Sequence, residues 1–89
     1  MKGNRREMKA RVTVTLKSGV LDPQGKAIEQ ALTSLGFGGV AGVRQGKVFD
    51  IEIAESDPEK ASAALTEMAE RLLANTVVEK YSIDLLPAG

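Results

Sequence analysis

The chain has 89 residues, 43% apolar and 27% charged, and its 12 basic and 12 acidic side chains cancel. It contains no histidine and no cysteine, which removes imidazole acid–base work, thiolate catalysis, disulfides and thiolate metal sites. A chain this short hides only roughly 60–65% of its unfolded surface, so its core is thin and association is a natural source of added stability.

No apolar run approaches the roughly 20 residues needed to cross a membrane. The start, Met1-Lys2-Gly3-Asn4-Arg5-Arg6-Glu7, is charged and lacks the apolar stretch of a signal peptide. A cytoplasmic protein with no membrane partner is expected. Nucleic-acid binding usually shows as a basic face with stacking aromatics. The aromatics here are Phe37, Phe49 and Tyr81 alone, so no nucleic-acid partner is expected either.

Residues 1–7 have no periodicity and read as a disordered extension ahead of one domain over 8–87. Ala10, Val12, Val14 and Leu16 alternate with Lys9, Arg11, Thr13, Thr15 and Lys17, the pattern of a half-buried strand. Asp22 then suits a helix N-cap, since its carboxylate can accept from the free amides of the first turn, and Pro23 suits the first helical position. Ala27, Ile28, Ala31, Leu32 and Leu35 recur at helical spacing, with Gly36 as the stop. A loose glycine-rich connection leads into a short strand near Val40–Gln45, and Gln45-Gly46 suits a tight turn. Phe49, Ile51 and Ile53 alternate with Val48, Asp50 and Glu52 as the next strand. Ser56 or Asp57 caps a second helix ahead of Pro58 and Glu59. Its stripe is Ala61, Ala64, Leu65, Met68, Ala69, Leu72 and Leu73, and Asn75 ends it. A final strand covers about Val77–Leu86, with Pro87 closing it.

The order strand, helix, strand, strand, helix, strand predicts an α+β domain. Its usual form is a ferredoxin-like β-α-β-β-α-β arrangement, an antiparallel sheet with both helices on one face. The first and third strands then lie side by side at the centre. Their outward charges, Lys9, Arg11 and Lys17 against Asp50 and Glu52, would pair across the sheet. The last strand has apolar groups on both faces through Val77, Val78, Tyr81, Ile83, Leu85 and Leu86. Such an edge invites pairing with another chain unless something covers it.

Several catalytic-looking patterns have plainer readings. Gly36-x-Gly38-x-x-Ala41 follows a helix and enters a strand, the reverse of a dinucleotide fingerprint. Gly25-Lys26 and Gly46-Lys47 lack both the earlier glycine and the following Ser or Thr of a phosphate loop. Asp50, Glu52, Glu55 and Asp57 read as a solvated, charge-paired face rather than a cation site. Ser18, Ser34, Ser56, Ser62 and Ser82 have no histidine to activate them. No catalytic, cofactor-binding or metal-binding residue is expected in this chain.

Three segments carry a resemblance: Leu21 to Gly25, Arg44-Gln45-Gly46-Lys47, and Leu72-Leu73-Ala74-Asn75-Thr76-Val77-Val78-Glu79-Lys80-Tyr81. Together, and in this order, they resemble the PurS family, the small subunit of phosphoribosylformylglycinamidine (FGAM) synthase in purine biosynthesis. The likeness runs from about Met8 to Leu86. It implies a non-catalytic subunit of a glutamine amidotransferase complex, bridging a glutaminase, PurQ, and a synthetase, PurL. The synthetase uses ATP and magnesium, none of it bound by this chain, to convert formylglycinamide ribonucleotide (FGAR) to FGAM with ammonia from glutamine. The resemblance also implies self-association, as a dimer or a dimer of dimers. Asp22, Pro23, Gln24, Gly25 and Gly46 are assigned structural roles. Arg44, Lys47, Asn75, Thr76 and Tyr81 are assigned to partner contact. The rival reading is a stand-alone regulatory domain that senses a small molecule, like the amino-acid-binding ACT domains of the same topology.

Overall fold

The computed structural model describes residues 8–86. The expected N-terminal extension, 1–7, and the expected strand-closing Pro87 lie outside these residues. The elements are β1 (Met8–Leu16), α1 (Pro23–Ser34), β2 (Gly46–Ile53), α2 (Pro58–Met68), a π-helical turn (Ala69–Leu73) and β3 (Glu79–Leu86). The strands form an antiparallel sheet in the order β2-β1-β3, with Val12 facing Phe49 on one side and Ile83 on the other. This is the ferredoxin-like α+β architecture, with the first strand central and the expected third strand beside it.

Period two along β1 sorts its side chains between the faces. Ala10, Val12 and Val14 are buried and meet Leu65, Ala69 and Ala74, with Phe49, Ile51, Leu73, Tyr81, Ile83 and Leu85 around them. Along α2 and into the π turn the buried residues Ala61, Leu65 and Ala69 follow at intervals of four, one line along the helix. Two of the three are alanines, which lets the helix approach the sheet closely. Asp57 is its cap, accepting from Glu59 N–H at 2.9 Å, with Pro58 in the first turn.

The opposite face of the sheet is polar. Lys9 faces Glu52 and Arg11 faces Asp50, and the Arg11 guanidinium reaches the Asp50 carboxylate at 2.8 Å. That hydrogen bond holds Asp50 below the usual carboxylate range and raises Arg11 further. Lys17 falls just past the end of β1.

Three expectations are corrected. Residues 40–45 form no strand, because tertiary bonds hold Arg44 and Gln45 against another loop and away from the sheet. Val77 and Val78 belong to a turn, closed by Val78 and Glu79 N–H groups donating to Asn75 O at 3.0 and 2.7 Å. The final strand therefore starts at Glu79 and alternates, with Tyr81, Ile83 and Leu85 towards the core and Lys80, Ser82 and Asp84 away from it. The second helix leaves α geometry at Ala69. In the π turn, Ala74 N–H donates to Ala69 O, five residues back, at 2.8 Å. The changed rotation per residue turns Leu72 outwards, 82% exposed, and spares Leu73.

α1 ends as its sequence directs. Gly36 is left-handed at φ +101, and Phe37 N–H donates to Leu32 O at 2.9 Å. Its apolar stripe is nevertheless left uncovered by the described residues, with Ile28 40% and Leu35 73% exposed.

Candidate partner interface

β1 runs towards the end of the sheet at which β2 and β3 begin, because Leu16 faces Glu79 and Thr15 faces both Gly46 and Lys80. The loops at this end are 17–22, 40–45 and 74–78. Topology thus gathers the three sequence motifs, far apart along the chain, at one place.

They are also tied together. Asp22, buried, accepts from Gly25 N–H through Oδ1 and from Gln45 N–H through Oδ2, both at 2.9 Å. One carboxylate thereby caps α1 and fixes the residue before β2. These two amides hold its carboxyl below the usual range, Gln45 having the larger effect. The Arg44 guanidinium donates to Val20 O (3.1 Å), Leu16 O (3.2 Å) and Lys17 O (3.0 Å). A planar fork suits this work, supplying several donors from a rigid head. Gln45 Nε2 donates to Gln24 Oε1 at 2.7 Å. On the other flank, Lys17 N–H donates to Val78 O at 2.8 Å, and Lys47 Nζ lies 3.7 Å from Glu79 Oε2. Glu79 Oε1 accepts from Asn75 N–H at 2.6 Å.

Two glycines are required by close approach rather than by backbone angle. A Cβ at Gly25 would meet Asp22 Cγ and Oδ2 at 3.0 Å, and Val43 O closer still. A Cβ at Gly46 would meet Val14 O at 2.5 Å and Thr15 Cγ2 at 2.7 Å.

The predicted contact residues can now be placed. Arg44, Lys47 and Asn75 stand at the tied end, each with a partner inside the chain. The Asn75 side chain accepts from Val77 N–H at 3.2 Å and so shapes its own turn. Thr76, beside it, is exposed. Tyr81 faces the core, and its hydroxyl donates to Glu70 Oε2 at 2.8 Å, fastening β3 to the π turn and raising the phenol's pKa. Leu21 and Val77, 76% and 81% exposed, stand in these same loops, and Leu72 lies two residues before the third. Leu72 reads as core on helical periodicity, and nothing local signals the π turn that exposes it. Among the described residues no group of three or more acidic, histidine or cysteine side chains comes together to hold a metal ion.

Fold and site define a ferredoxin-like α+β domain whose loops are cross-tied at one end and carry exposed apolar side chains there. The family model described as PurS, phosphoribosylformylglycinamidine (FGAM) synthase, matches residues 9–87, and the chain belongs to that family. The PurS subunit of Archaeoglobus fulgidus is 49% identical over 76 residues, covering 85% of this chain and 95% of that protein. Crystalline PurS from Methanocaldococcus jannaschii, described as one of the subunits of formylglycinamide ribonucleotide amidotransferase, superposes with a TM-score of 0.83. It is 41% identical, over 92% of this chain and 99% of that one. A chain of the PurLQS structure from Thermotoga maritima gives a TM-score of 0.83 at 34% identity, over 90% and 98%.

Proposed function

We propose that this chain is the small, non-catalytic subunit of an FGAM synthase and that it holds a PurQ-type glutaminase and a PurL-type synthetase in one assembly. The observation that carries the reading is the convergence of all three sequence motifs on one end of the sheet. There Asp22, Arg44 and Glu79 spend their side chains on rigidity, while Leu21, Leu72, Thr76 and Val77 face outwards. Rigid loops presenting apolar side chains suit docking, since little entropy is lost when they are covered. The likeness to a chain of the PurLQS structure supports the same partners. Arg44, Lys47, Asn75 and Thr76 act at that surface, with Tyr81 behind it.

In this assembly the glutaminase releases ammonia. The synthetase uses ATP and magnesium to activate FGAR, and ammonia converts it to the amidine. The subunit shortens the path between the two centres, which limits loss of ammonia to water. It works in the cytoplasm, and no helix among its described residues is long and apolar enough to cross a membrane. It also associates with itself, as a dimer or a dimer of dimers. The uncovered stripe of α1, with Ile28 and Leu35, and the free edges of a three-stranded sheet support this.

The test is amidine formation by the synthetase and glutaminase, with glutamine as nitrogen donor, with and without this protein. Glutamine-dependent turnover only on its addition, alongside ammonium-dependent turnover that needs neither it nor the glutaminase, is expected. Unchanged glutamine-dependent turnover would overturn the reading. The sensor reading predicts instead a rise in melting temperature with one amino acid or nucleotide.

A further inference from the structure

At its tied end the polar face of the sheet opens into a hollow of about 390 Å³, lined by Thr15, Leu16, Ser18, Gly19, Arg44 and Lys80. Thr15 and Lys80 face each other across β1 and β3. Both point away from the core, by the alternation that buries Val14 and turns Tyr81 inwards. Ser18 and Gly19 belong to the turn that follows β1, closed by Val20 N–H donating to Lys17 O at 3.0 Å. Gly19 holds the third position of that turn at φ +89, the left-handed angle such a turn needs there.

The polar side chains of this hollow are donors with capacity left. Arg44 gives one Nη1–H to Val20 O and both Nη2–H groups to Leu16 O and Lys17 O. Its Nε–H and second Nη1–H remain, on a head that those carbonyls hold in place. Among the described residues, Lys80 has neither an ion pair nor a side-chain hydrogen bond, and the Thr15 and Ser18 hydroxyls have no hydrogen bond either. The Ser18 and Gly19 amides likewise find no acceptor there.

No carboxylate lines the hollow to offset these groups. Asp22 lines a different one and gives its oxygens to the Gly25 and Gln45 amides. Glu79 points to the opposite face of the sheet, where it meets Lys47 and the Asn75 amide. The cations without an ion pair among the described residues are Lys9, Lys17, Arg44, Lys60 and Lys80. Lys17, Arg44 and Lys80 stand together at this end. A carboxylate has two oxygens to offer such a set of donors, whereas a phosphate monoester brings three and close to two negative charges.

We propose that this hollow binds the phosphate group of a small molecule, with Arg44 and Lys80 as its charged walls and Thr15, Ser18 and Gly19 completing it. The site does not depend on the assembly proposed above.

The test is a titration of the full chain, labelled with nitrogen-15, with inorganic phosphate at constant ionic strength. Saturable amide shifts centred on residues 15–19, 44 and 80 are expected, with a dissociation constant on the order of 1 mM, as suits an exposed seat. K80Q is expected to weaken binding about tenfold and S18A about threefold. K60Q, which removes an unpaired lysine on α2, is expected to leave it unchanged. Amide spectra that match wild type away from the substitution establish that each variant folds. Ribose 5-phosphate distinguishes the sources: tighter binding than inorganic phosphate assigns a sugar phosphate, and equal binding assigns free phosphate. Acetate that saturates the same amides as tightly as phosphate would mark a seat for a partner's acidic side chain and overturn the proposal. Shifts that grow linearly, that chloride reproduces, or that survive undiminished in both K80Q and S18A would overturn it as well.

Discussion

Gly25 lies in the first turn of α1, where alanine would by propensity alone add up to about 1 kcal/mol of stability. The surroundings set the sign the other way. A Cβ there would sit 3.0 Å from two atoms of the Asp22 carboxylate and closer still to the Val43 carbonyl oxygen. Neither neighbour can yield cheaply. Asp22 is held by two amides, and Val43 precedes Arg44 and Gln45, which are bonded to Leu16, Lys17, Val20 and Asp22. Overpacking costs about 1–3 kcal/mol, and stranding the Gln45 N–H adds about 1–3 kcal/mol. Less the propensity gain, Gly25→Ala should lose about 1–5 kcal/mol, at roughly 4–8 °C of melting temperature per kcal/mol for a domain of this size. Thermal unfolding followed by circular dichroism, with both proteins at one concentration, measures it. Gly38→Ala is the control, because nothing lies within 4 Å of its Cβ position, and it should be neutral or stabilising by about 0.4–1 kcal/mol. A Gly25→Ala protein melting at or above wild type would refute the close-approach account.

Asp22→Asn should destabilise the fold, since an amide can accept from one of the Gly25 and Gln45 N–H groups but meets the other as a second donor. The folded carboxyl is held below its ordinary range, so its contribution is full above the unfolded value of about 4 and disappears as pH falls through the folded one. The gap between wild type and variant in urea midpoint should therefore be constant near neutrality and close on acidification; a gap independent of pH would count against the two-amide clasp. Arg44→Lys should cost about 1 kcal/mol, because a single ammonium cannot span three carbonyls and the site is solvent-exposed, reducing the return on each bond. Leu65→Ala, which opens a void under the centre of the sheet, should cost about 2–5 kcal/mol by denaturant titration, and a loss below 1 kcal/mol would place the core elsewhere.

What could be read from sequence was whatever local chemistry settles alone. Asp22-Pro23 and Asp57-Pro58 mark helix starts because cap and first turn are neighbours, and β1 and β2 are legible because one face of each is covered. Val40–Gln45 has the composition of a strand, but its fate is decided by an arginine reaching carbonyls 24 to 28 residues away. Val77 and Val78 look like strand residues, yet Asn75 takes their stretch into a turn closed on its own carbonyl. The π turn is a tertiary outcome: Ala69 stays in the core, Ala74 bonds back to it, and Leu72 is turned out in the process. At the site, the motif residues were identifiable, but their mutual ties were not, since each bond joins segments that only the sheet's topology brings together.

The alternation that turns the backbone N–H and C=O groups of Tyr81 and Ile83 to the open side of β3 does the same for Val48 and Asp50 at the open side of β2, and the side chains of the two sets lie on opposite faces of the sheet. A copy that attached its β2 to a free β3 in antiparallel fashion would have to turn over, setting its bare polar surface beside its neighbour's helix layer. Antiparallel growth by unlike edges is thereby frustrated at the first step. The sheet, with two free edges among its described residues, therefore distinguishes the antiparallel sense of attachment from the parallel one, in which β2 and β3 would meet with their faces matched.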